Sequence, residues 1–260
     1  MIPQIYIMAA ITLVICLAFW GWLIYLFTGH QKHYFRLLIL GLPLSAIANL
    51  ILKRQAIVLV GQTFHVPPGL GLASPAWFLA FGVLVTPLVE EAIKILPLLL
   101  IPVRKLVTSR TSALWVGFVL GVSFGLGEAG FLAYAIAQNP VYSSLPWYAY
   151  TGYFSERLMA CFAHGVLTAM VVIGIQRGGK YIWYGYLAAL GLHLFLNMPT
   201  AMYQLQWISF ELYNFSLVIP FIVLAVIFER MRRQVRAPKD EQGKNEVVYW
   251  QRHVTEDQSV

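Results

Sequence analysis

A helix that crosses a bilayer needs about 20 predominantly apolar residues in a row, and this chain offers that pattern repeatedly. The runs fall at roughly 5–28, 35–52, 75–101, 112–137, 154–176, 180–203 and 208–229. In hydrocarbon every backbone polar group must be satisfied internally, which only helices and closed barrels achieve. Runs of this length therefore predict an all-α fold: a polytopic transmembrane helical bundle of about seven spans. Only 11% of the residues are charged, against about 25% in soluble domains, so there is too little polar surface to face water all round. Residues 1–236 form one expected unit. Residues 237–260 are polar and are expected to be a poorly ordered cytoplasmic tail.

The loops between the runs alternate in charge. Lys32 and Arg36 follow the first run, Arg104, Lys105 and Arg110 the third, and Arg177 and Lys180 the fifth. Arg230, Arg232, Arg233 and Arg236 follow the seventh. Cytoplasmic loops carry the excess of Lys and Arg, so the expected topology is N-terminus outside and C-terminus inside. The first run has no Lys or Arg before it, so it lacks the basic start of a cleaved signal peptide and reads as a retained span. The net charge of +7 then reports orientation in the lipid bilayer, not a nucleic-acid partner. Lys53 and Arg54 break the pattern: they cut the second run short on the outer side. The uncharged loop 138–153, with Tyr142, Trp147, Tyr148 and Tyr150, suits the aromatic belt of a membrane interface. Cys16 and Cys161 lie in apolar runs and suggest no disulfide framework.

Few side chains inside the runs can ionise. They are Glu90, Glu91 and Lys94 in the third, Glu128 in the fourth, His164 in the fifth and His193 in the sixth. At about 1.5 Å of rise per residue, Glu90, Glu128, His164 and His193 lie roughly 17, 24, 18 and 20 Å from their cytoplasmic ends. Four helices thus place a polar group in one slab near mid-bilayer. Glu90 and Lys94 are spaced i,i+4, which puts them on one face, as are His193 and Asn197. Gly117, Gly121 and Gly125 repeat every four residues, a spacing that lets a neighbouring helix approach closely. Pro87 and Pro97 bracket the glutamates and predict a kink there. A Glu90–Lys94 pair could serve packing alone, and a lone membrane histidine often only joins two helices. Ionisable groups at this depth are costly, however, and usually mark function.

Four segments, VEEAIK, FGLGEAGF, ERLMACFAHG and LHLFLN, come in order on consecutive runs. Together they resemble the motifs of PrsW-type intramembrane proteases, within the CAAX-processing and bacteriocin-processing protease superfamily. The resemblance covers roughly residues 84–200. The superfamily pattern is a Glu-Glu pair with a following basic residue, then Phe-xxx-His, then His-xxx-Asn. Glu90, Glu91 and Lys94 match the first part, and His193 with Asn197 the last. Phe124 and Glu128 match the second in spacing, with glutamate in place of histidine, as in the PrsW branch. His164, with Arg157 seven residues before it, resembles that branch's additional histidine motif.

The resemblance implies that residues 1–236 are a transmembrane protease domain. It also implies that Glu90 activates a water, Glu91 supports it, and His193 and Asn197 donate to the developing oxyanion. Either Glu128 or His164 takes the place of the missing histidine. The implied partners are single-span membrane proteins, such as anti-sigma factors, and the expected location is the cell membrane. Glutamate and histidine are also zinc ligands. Related CAAX-processing enzymes work without bound metal, whereas the PrsW group is described as metalloproteases. The expectation here is a glutamic-type, metal-free peptidase. The alternative is a divalent zinc held by Glu90, Glu128, His164 and His193. Two other classes stay open: a proton-coupled transporter or channel, since buried Glu, His and Lys also build proton relays, and a non-enzymatic membrane scaffold. Against transport, no inverted repeat is visible. The topology is testable: a reporter fused after Val260 should be active only in the cytoplasm, and activity on the outer side would overturn the orientation.

Overall fold

The computed structural model describes residues 3–29, 31–66 and 74–236, and these are helical with no strand among them. The tail 237–260 lies outside the described residues, as do residues 67–73 of the Gly/Pro-rich segment 61–75. In chain order the helices are α1 (Ile5–Phe27), α2 (Lys32–Ala46), α3 (Arg54–Thr63), α4 (Ala76–Ile93), α5 (Ile101–Arg104), α6 (Arg110–Ala137), α7 (Pro140–Ser143), α8 (Thr151–Arg177), α9 (Lys180–Gln204) and α10 (Phe210–Arg236). Five stretches are long and apolar enough to cross a membrane: Ile5–Phe27, Lys32–Thr63, Arg110–Ala137, Trp147–Arg177 and Phe210–Val235. The helix α4 covers the first part of the third apolar run, and α9 the sixth. They carry the glutamate pair and His193.

Three expectations need correction. First, the second run does not stop at residue 52. The segment Ile47–Lys53 is π-helical and joins α2 to α3 in one rod of 32 residues, so Lys53 and Arg54 lie inside a helix, not in a loop. A π-turn accommodates one residue more than an α-turn and is found mostly at functional sites. Here the widened turn has an extra donor: Asn49 Nδ2 donates to the Ser45 carbonyl at 2.8 Å. Second, the third run is not one helix over 75–101. The helix α4 ends at Ile93, and a 3₁₀ turn comes next at Leu96–Leu99. Pro97 has no N–H to donate to the Ile93 carbonyl, so the ladder stops there. Third, the arginines at 230–236 are not in a loop: they form the last turns of α10, where Arg232 and Arg233 pair with Glu229 at 2.7 Å.

The most buried of the five spans is α6. It packs against α8, α2, α1 and α10, while α8 also packs on α9, and α9 on α4 and α10. The expected glycine face is where α6 meets α8. A Cβ at Gly125 would stand 2.8 Å from the Cα of Cys161, and one at Gly121 would collide with the His164 carbonyl. Backbone-to-backbone contact at these points sets the height of α8, and with it that of His164. The opposite extreme is α10, whose Phe215, Val218, Ile219, Ile222 and Val226 are all exposed. Gly121→Leu should therefore destabilise the bundle by about 1–3 kcal/mol or more through overpacking. An unchanged melting temperature in detergent would show that α6 and α8 tolerate separation.

Candidate active site

Two adjacent glutamates on α4 point about 100° apart around the helix, and each finds its own cation. Glu91 and Lys94 are fully buried, and Lys94 Nζ lies 2.6 Å from Glu91 Oε1. The sequence spacing alone suggests Lys94 for Glu90. The helix instead ends beside it, and the i,i+3 partner wins. Glu90, only 1% exposed, is held from another helix: Lys53 Nζ lies 2.6 Å from Glu90 Oε1. The charge that breaks the loop pattern thus belongs to the site.

Histidines from α8 and α9 complete the cluster. His193 Nδ1 lies 2.6 Å from Glu91 Oε1. A carboxylate accepts, so Nδ1 carries a proton; in the neutral imidazole His193 Nε2 then presents a lone pair. That nitrogen is 3.7 Å from Glu90 Oε2. Lys94 Nζ also contacts His164 Nδ1 at 2.8 Å, and it stands 4.9 Å from the centroid of the Phe124 ring. An ammonium can only donate, so His164 accepts at Nδ1 and donates from Nε2 to Glu128 Oε2, 3.1 Å away. Glu128 in turn accepts from Arg157 Nη1 at 2.7 Å, and Arg157 Nε donates to Glu156 at 3.0 Å. The two imidazole rings are 5.4 Å apart, centroid to centroid. The slab expected from helix depths is therefore a contiguous network across four helices, with Lys53 adding a fifth.

A cavity of about 670 Å³ opens onto this network. Glu90, Glu128, His164, His193 and Asn197 line it, together with Asn49 and Lys53. Glu91 and Lys94 do not line it; they stand behind, against His193 and His164. Every candidate residue from the sequence is thus in or directly behind one site. Asn49, Lys53 and Glu156 were missed as contributors. For Asn49 and Lys53 a signal existed, since they are polar residues four apart within the apolar stretch ANLILK.

This geometry accompanies a family match. Residues 10–227, most of the chain, match the family described as PrsW family intramembrane metalloprotease. The chain belongs to the PrsW family. No curated protein and no solved structure matches it. Membership makes the chain a peptidase, and its long apolar helices make it a multi-pass membrane protein.

The PrsW description names a metal, and the donor set can be tested for one. Glu90, His164 and His193 each offer a ligand atom within 4.8 Å of the others, and all three are buried. One carboxylate with two imidazoles suits zinc. Two ligands of a tetrahedral zinc stand roughly 3.4 Å apart, close to the 3.7 Å between His193 Nε2 and Glu90 Oε2. Glu90 Oε2 is buried and has no hydrogen-bond partner among the described residues. Glu91 behind His193 supplies the carboxylate that commonly orients a ligating imidazole. His164 would give up one of its two present contacts to join. The residues fit the metal. Glu128, included in the sequence-based ligand set, is not in the group of three and stands behind His164. Glu91→Gln should accordingly leave His193 misoriented. Its activity should fall about 10–100-fold, the usual loss of an outer-shell partner, with the fold intact by circular dichroism; parent-like activity would show that His193 needs no such support.

Proposed function

We propose that this intramembrane peptidase cleaves single-span membrane proteins, anti-sigma factors among them, with a water held between Glu90 Oε2 and His193 Nε2. One observation carries the reading. Two acceptor atoms, 3.7 Å apart and lining one cavity, face the same point. Lone pairs opposed in this way call for a group that supplies protons or accepts electron pairs, and a water does the former by donating to both. As the water attacks the scissile carbonyl, Glu90 takes its proton and later delivers it to the leaving amine. Glu91 fixes the His193 tautomer. In this reading His193 is the neutral tautomer and accepts at Nε2 instead of donating, so the oxyanion role is given to other donors on the cavity wall. Asn197, one turn further along α9 and also lining the cavity, supplies a side-chain amide for that task in this reading. Glu128 and Arg157 hold His164 from its far side.

A zinc ion bound by Glu90, His164 and His193 would polarise the water and the carbonyl. The metal-free reading also has an observation behind it: ammonium groups already stand 2.6 Å from each glutamate. The same residues form the site in both readings. The depth expected from the sequence supports this substrate class: a peptide bond must reach mid-membrane depth, which a single spanning helix presents once locally unwound.

Glu90→Gln keeps size but cannot take a proton, and should slow cleavage of a single-span reporter in detergent by about 10²–10⁴-fold. Asn197→Ala should cost about 10²–10³-fold if it donates to the oxyanion. Rates are measured per folded molecule. Parent turnover in every variant would sink the hydrolase assignment to this cavity. Elemental analysis separates the two readings. Zinc at one per chain, lost in His164→Ala and His193→Ala, assigns the ion to this triplet. Full activity in metal-free protein assigns activation of the water to Glu90 itself.

A further inference from the structure

We propose that Lys53 is a positioning residue of this active site: by holding Glu90 Oε1, it leaves Oε2 as the oxygen turned to the reacting water. The inference rests on the reading of Glu90 given above. A carboxylate has two equivalent oxygens, and a base with one job needs them made unequal. Glu90 shows that inequality. Its Oε1 is 2.6 Å from Lys53 Nζ, while Oε2 has no hydrogen-bond partner among the described residues and faces His193 Nε2. An ammonium is a compact donor that can satisfy one oxygen and leave the other; a guanidinium fork tends to engage both.

The backbone around Lys53 is consistent with this task. The π-helical stretch Ile47–Lys53 widens the rod where it passes α4. Asn49 and Lys53 line the cavity, while Leu50, Ile51 and Leu52 between them are exposed on the apolar outside. Each residue added to a helical turn rotates the remainder of the helix by about 100°, so the extra residue of the π-turn decides which side chain meets Glu90. The Lys53 side chain is 12% exposed, against 1% for Glu90. It enters from the cavity side, whereas Lys94 serves Glu91 from behind.

The test uses the full-length protein in dodecyl maltoside, with a fluorescein-labelled single-span reporter as the probe for turnover. A second readout needs no turnover: labelling by dicyclohexylcarbodiimide, an apolar carboxyl reagent, located by mass spectrometry. This reagent spares a carboxylate held in an ion pair. Lys53→Met should lower kcat by about tenfold or more with KM within about twofold, and Glu90 should label several-fold faster. Lys53→Arg keeps the charge and protects the fold, so it serves even where Lys53→Met does not fold. Glu90 should label at the parent rate in Lys53→Arg, yet kcat should still fall, because the fork occupies both oxygens. Adding Lys53→Met to Glu90→Gln should slow turnover no further, since Lys53 acts through Glu90. Parent kcat in folded Lys53→Arg, or unchanged Glu90 labelling in Lys53→Met, would overturn the proposal. If Glu90→Gln itself retains turnover, it is the reading of Glu90 that fails, and the labelling still decides whether Lys53 holds that carboxylate.

Discussion

Neighbouring carboxylates buried inside a helical bundle repel each other and have little water to solvate them. The penalty is on the order of several kcal/mol per ion even after relaxation. The fold meets it by separate neutralisation: Lys94 for Glu91 from the same helix, Lys53 for Glu90 from another. Everything else in the site depends on that division. Because Glu91 Oε1 takes both Lys94 and His193 behind the cavity, it can fix an imidazole, although its Oε2 makes no hydrogen bond among the described residues. Because Glu90 is held at one oxygen only, the other is left to act. A third carboxylate, Glu128, is compensated by Arg157 in the same way, and it orients His164.

The sequence carried the identity and the relative heights of the polar residues well. Regular helices convert position into height, so Glu90, Glu128, His164 and His193 could be placed in one slab, and they meet there. The glycine repeat on α6 likewise named the face that touches α8, because close approach needs the missing Cβ at Gly121 and Gly125. What could not be read was how each group is paired. Whether Lys94 meets Glu90 or Glu91 depends on where α4 stops, and it stops at Ile93 because Pro97 withholds one donor further on. Spacing of i,i+3 and i,i+4 is equally compatible with contact.

Lys53 shows a different kind of failure. A charge counted as a loop residue was placed by the assumption that apolar runs end at charges. That rule holds for side chains facing lipid, where nothing compensates them. It breaks when a carboxylate waits on a neighbouring helix, and the partner, Glu90, is 37 residues away in sequence. The π-helical turn adds to the difficulty, since one extra residue per turn shifts the face of everything after it. No hydropathy pattern announces such a turn; only Asn49 and Lys53, polar within an apolar stretch, point to it.

The light packing of α10 has a consequence for how a membrane-embedded segment could approach the cavity. Leu217, Val218 and Phe221 from α10 form part of the cavity wall, yet much of the same helix faces outward. Within hydrocarbon, contact between two apolar helices carries no hydrophobic driving force, because lipid tails are as apolar as leucine. Exchanging α10 contacts for those of another apolar helix is then nearly isoenergetic. The wall is in effect written in the same chemical language as the solvent, so a visiting helix can read it from within the bilayer plane without passing through water.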